Sequence, residues 1–116
     1  MSSRYELLGM QDMFLSYAAN WPAVLPIHHH LAALRPGSLL SAREARGRIE
    51  LRDEEGHTVA RLSEAAARVW LPRLARVRSV RVLAMIGRNR KDSEEAHRQS
   101  CRCEKWEVPW VEVVFR

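Results

Sequence analysis

Two cysteines, Cys101 and Cys103, are all this 116-residue chain has. Thiols one residue apart close almost no loop, which excludes a disulfide-stapled scaffold. None of the five glycines opens a Gly-Lys-Ser/Thr turn, so a P-loop, and the stand-alone ATPase it would serve, is excluded too. The most apolar stretch, Met13 to Ile27, is too short for a bilayer and is broken by Pro22 and Pro26. The opening Met1-Ser2-Ser3-Arg4-Tyr5-Glu6 lacks a basic region followed by an apolar one, so it does not read as a secretory leader. Two reduced thiols fit the cytoplasm, and no membrane partner is implied.

What is present suits one compact domain, with 47% apolar and 28% charged residues. Nineteen Lys and Arg against fourteen Asp and Glu leave a charge of +5, which points towards a polyanion. Residues 1–40 are neutral, and the whole excess lies in residues 41–116.

Residues 5–34 read as helical material broken by prolines, with Leu7, Leu8, Met10, Met13, Phe14 and Tyr17 at roughly helical spacing. From Gly37 onward short strands are expected. Ser38–Ser41 is one; Arg48-Ile49-Glu50-Leu51-Arg52 alternates and, with 57–62 across the Asp53-Glu54-Glu55-Gly56 turn, predicts a hairpin. Ser63 is placed to cap a helix over residues 64–70, which Pro72 ends or kinks. Val80, Val82, Ala84 and Ile86 predict one face of a strand over 78–86, followed by a polar loop over 87–105. In the closing strand, Trp106, Val108 and Trp110 have opposite parity to Val111, Val113 and Phe115, which predicts a bulge near Pro109. The fold expected is α+β: a small, partly open β-barrel of about five short strands with one crossing helix. It covers residues 31–116, behind a helical N-terminal segment over 1–30.

The most unusual stretch runs from Ala65 to Lys91. It carries Arg68, Arg73, Arg76, Arg78, Arg81, Arg88, Arg90 and Lys91 and no acid. Such a run can neutralise a phosphate backbone, provided that loops at both ends of the strand converge; a solvated face accounts for the same run without a partner. Trp106 and Trp110 are expected in the core, and Trp70, at a helix end, is expected at an edge as a stacking platform. His97, Cys101 and Cys103 have an H-x3-C-x-C spacing but lack a fourth zinc ligand unless His57 or one of His28–His30 folds over, so no metal or other cofactor is assigned. Asp92-Ser93-Glu94-Glu95 could hold a divalent ion, yet nothing else completes a nuclease-like pair.

The run Leu34-Arg35-Pro36-Gly37-Ser38-Leu39-Leu40, then Ile49-Glu50-Leu51, then Asp53 to Ser63, resembles the hairpin region of HIRAN-like domains, with Ala60 standing where a glycine is usual. Arg88 to Ser93, followed by Cys103-Glu104-Lys105-Trp106-Glu107-Val108, resembles the C-terminal extension of some RecQ-family helicases. The resemblance implies a small β-barrel that binds DNA, including single-stranded ends, alongside a helicase. The motor itself is absent.

The expectation is therefore a non-catalytic module for single-stranded or end DNA. Arg73, Arg76, Arg78, Arg81, Arg88, Arg90 and Lys91 would hold phosphates, and Trp70 would stack on a base. The alternative is a protein-interaction domain that meets a helicase motor or another protein through the apolar segment 7–27.

Overall fold

The computed structural model describes residues 3–116. Six strands, β1 (Arg4–Leu7), β2 (Leu39–Ala45), β3 (Arg48–Arg52), β4 (Thr58–Arg61), β5 (Val77–Asn89) and β6 (Lys105–Phe115), form one antiparallel sheet. Their order is β1-β6-β5-β2-β3-β4, and the sheet does not close on itself. Three short helices accompany it: α1 (Pro26–Ala32), α2 (Glu64–Trp70) and α3 (Glu95–Arg98).

The local signals act where they were read. The β3–β4 hairpin forms with its turn at Asp53–His57, and Gly56 takes φ +89°, a conformation that costs a side chain strain. Ser63 caps α2, its Oγ accepting from the Ala66 N–H at 3.2 Å. α2 ends at Trp70, just ahead of Pro72, and the chain continues as a 3-10 helix over Leu71–Arg76. β2 and β3 are joined through Arg46 and Gly47, both at positive φ, as a two-residue hairpin turn requires.

Three expectations change. The helical opening is replaced by β1, two 3-10 turns (Met10–Asp12 and Ala18–Asn20) and α1, which crosses the expected boundary at residue 30. β1 forms because β6 offers it a ladder from Arg4↔Phe115 to Leu7↔Glu112, a partner far away in sequence. This raises the expected five strands to six. Next, β5 extends three residues into the expected polar loop, as far as Asn89. Finally, the bulge lies in β5 and not at Pro109: Val82 pairs with Val111 and Ala84 with Trp110, leaving Leu83 as the extra residue. The inward side of β6 accordingly switches from Trp106 and Val108 to Val111 and Val113. Val80 and Val82 are buried, whereas Ala84 and Ile86 beyond the bulge are half-exposed.

β2 holds the two halves of the sheet together. Leu39 and Leu40 pair with β5, and Ser41 to Ala45 pair with β3. The core between the layers is built on Leu8, Leu31, Ile49, Leu51, Val59, Val80, Val82 and Val111. Across the open side, Met13 bridges Leu62, and the Phe14 N–H donates to the Arg61 carbonyl at 2.9 Å. Of the apolar residues of 7–27, Leu8, Met13, Tyr17, Ala18 and Ala19 are buried, Leu15 and Ile27 pack against the core, and Leu7 and Val24 are exposed. Among the described residues no helix is long and apolar enough to cross a membrane.

Candidate functional site

The acid-free arginine run does not gather on one side. Arg78 and Arg88 lie ten positions apart on β5, roughly 33 Å of strand at about 3.3 Å per residue. At the first end the cations already have partners. Arg73 meets Glu6 at 3.7 Å and lies 5.2 Å from the Trp70 ring. Arg76 donates from Nε to the Arg116 carbonyl and lies over Phe115. Arg78 donates to Ser3 Oγ at 3.3 Å, and Arg81 is exposed opposite Glu112. At the second end Arg90 is tied to Glu104 at 3.3 Å and to the Arg98 carbonyl at 2.9 Å, whereas Lys91 is exposed. The loops at the two ends therefore do not converge on one backbone-binding surface.

Trp70 is not a stacking platform. It is only 3% exposed, packed edge-on against Phe115 with centroids 5.5 Å apart. Trp70 lies on the same side of α2 as Ala66 and Ala67, the side that packs inward, whereas Ala65 and Val69 on the other side are exposed. Trp106 is buried as expected, its indole N–H donating to the Leu15 carbonyl at 2.8 Å. Trp110 is the more exposed of the two, at 37%, and donates to the Leu8 carbonyl at 2.6 Å.

A different group comes together at the second end of β5. A groove of about 510 Å³ runs between the Met13–Ser16 segment, the start of β3, the cap of α2, and residues 92–97; its walls include Phe14, Arg48, Ser63, Arg88, Ser93 and His97. Arg48 and Arg88 are each oriented by one carbonyl at 3.1 Å, that of Leu62 and that of Asp92 respectively. Four guanidinium Nε atoms, those of Arg48, Arg52, Arg61 and Arg88, are buried without a hydrogen-bond partner. Arg52 and Arg61 offset this by pairing with Glu50 at 3.1 and 3.8 Å. Arg48 and Arg88 have no carboxylate partner among the described residues. Arg48 and Arg88, two guanidinium donors orphaned of any carboxylate among the described residues, thus both line this groove.

The acids around this groove are partly committed. Asp92 Oδ2 accepts from the Asn89 N–H at 2.8 Å, closing the turn after β5, and Glu64 meets Arg68 at 3.4 Å. Phe14 is half-buried, with the Arg48 guanidinium 5.9 Å from its ring centre, and it meets Tyr17 edge-on. Of the expected site residues, only Arg88 lines the groove, with Lys91 beside it in the turn. Arg48 and Phe14 carried no signal as site residues. Arg48 opens an ordinary alternating strand, and Phe14 sits in an apolar run that reads as core.

His97, Cys101 and Cys103 do not assemble into a three-ligand group among the described residues. Both thiols are buried, and Cys101 Sγ lies 3.6 Å from the His97 carbonyl. Burial pushes the Cys103 thiol pKa up, with Cys101 and Glu104 adding to the rise. The chain matches no family model, no curated protein and no solved structure.

Proposed function

We propose that the chain is a non-catalytic nucleic-acid-binding module that holds a single strand or a DNA end in the groove between Arg48 and Arg88. One observation carries the reading: Arg48 and Arg88, neither with a carboxylate partner among the described residues, line the same groove. A phosphate oxygen, negatively charged and geometrically suited to guanidinium, is the ligand that best matches the pair. Phe14 offers an aromatic face beside the cations, on which a base can stack. Lys91 adds a free charge nearby, and Arg73, Arg76, Arg78 and Arg81 steer from the far end of β5. The HIRAN-like resemblance of the hairpin supports the same reading. So does the bridge from Met13 to Leu62, which draws the open sheet towards a partly open barrel.

Fluorescence anisotropy with a labelled single strand tests it. Binding should weaken with salt and should be largely lost in the Arg48→Ala/Arg88→Ala double variant. No binding at low salt, or binding indifferent to both substitutions, refutes the proposal.

A protein contact is the second reading, and one observation favours it. β1 is an outer strand whose Tyr5 and Leu7 are 59% and 60% exposed, the geometry a strand-adding partner uses. Leu8, Met13, Tyr17, Ala18 and Ala19 of the segment 7–27 are spent on the core, so such a contact would rest on β1 and the exposed residues of that segment, such as Val24.

A further inference from the structure

The geometry points to a divalent transition-metal site formed by His30, Asp53 and His57, independent of the groove and of the function proposed for it. Each of these side chains offers one ligand atom, and the three atoms lie within 4.8 Å of one another. Zinc held at about 2.0–2.1 Å in a tetrahedral site needs its ligand atoms about 3.3 Å apart. Closing the set therefore takes about 1.5 Å of side-chain movement and a turn of the His57 ring out of its stack on His30, so that both in-plane lone pairs meet the ion. His57 has room to supply it, since its side chain is 42% exposed.

Two of the three, Asp53 and His57, are the ends of the β3–β4 turn, and the third comes from α1. Asp53 follows β3 and is fixed by the hairpin turn. Its Oδ1 accepts from the Glu55 N–H at 3.0 Å and the His57 N–H at 2.8 Å, which leaves Oδ2 facing His57 Nδ1 at 3.2 Å. His57 immediately precedes β4. His30 sits on the last turn of α1, its ring stacked on that of His57 with centroids 3.7 Å apart and planes 10° apart. A pre-oriented carboxylate beside two imidazoles is a donor set that borderline ions such as Zn²⁺ accept, and three protein ligands leave a fourth position for water. The ion would clip the end of α1 to the β3–β4 hairpin, two elements otherwise joined only by packing and the His–His stack.

Zinc titration of the whole chain by calorimetry, with Co²⁺ absorption as a second readout, tests the site. One ion should bind per chain, and His30→Ala or His57→Ala should each weaken binding by about 100-fold, at or above what losing even an outer-shell partner costs. Zinc should raise the melting temperature of the wild type and not that of His30→Ala, which leaves the hairpin turn intact. The Co²⁺ complex should show no thiolate charge-transfer band, and the His28→Ala/His29→Ala and Cys101→Ala/Cys103→Ala variants should bind as the wild type does. No binding, binding unchanged in His30→Ala and His57→Ala, or a thiolate band overturns the proposal.

Discussion

The groove makes a quantitative claim about salt. Three cations lie there without a carboxylate partner among the described residues: Arg48 and Arg88 on the walls and Lys91 beside them. Each phosphate neutralised on a single strand contributes about −0.7 to the slope of log affinity against log salt, so three contacts give about −2. Raising salt from about 50 to about 200 mM should then lower affinity about 20-fold. Arg48→Ala/Arg88→Ala removes two of the three contacts and should flatten the slope to about −0.7. Arg76→Ala/Arg78→Ala, roughly 33 Å of strand away, should leave it near −2. Anisotropy titrations of a labelled oligonucleotide at several salt concentrations read all three slopes. If the Arg76/Arg78 variant loses the slope and the Arg48/Arg88 variant keeps it, the strand is held at the other end of β5 and the reasoning from orphaned donors fails.

Trp70→Ala should destabilise the fold by about 3–5 kcal/mol, because it empties a buried aromatic site; urea unfolding measures the loss, and a nearly neutral result would show the ring to be dispensable to packing. Ser63→Ala should cost about 1 kcal/mol through the lost cap of α2, read from the same curves. Since the Asp53 pKa lies below its ordinary value of 3.8 in the folded chain, the stability it contributes is complete above that value and is lost as pH falls through the depressed folded one. Unfolding midpoints between about pH 6 and about pH 3 should therefore drop less steeply in Asp53→Ala than in the wild type. Cys103, with its pKa raised by burial, should react with iodoacetamide at neutral pH far more slowly than a free thiol; rapid alkylation in the folded state contradicts its burial.

What could be read from the sequence was local. The β3–β4 hairpin, the Ser63 cap and the handover at Pro72 depend on residues within a few positions of one another, and their chemistry is written in the residue types. β1 was not legible, since Arg4 to Leu7 become a strand only beside β6. Its Tyr5 and Leu7 merge in sequence with the apolar positions that follow them. The charge run was legible as composition, but the spread of its members depends on the length of β5, which the expected end at Ile86 shortened. Arg48 and Arg88, forty positions apart, line one groove, as His30 and His57 stack across the span from α1 to the hairpin, and no periodicity encodes such meetings. Trp70 shows the converse: a residue near charge and proline is still buried when it shares the sheet-facing side of its helix with Ala66 and Ala67, while Val69 on the other side is exposed.

The opening segment covers the sheet at both ends, pairing β1 along β6 and laying Met13 and Phe14 against β4. During synthesis β1 leaves the ribosome well before β6 exists, so it must wait, unpaired, until nearly all the remaining chain has emerged. The piece made early is thus among the last to dock, and its arrival shields two raw sheet margins in one step. A chain shorn of it would present both margins to its neighbours, and clumping during expression is the symptom to look for.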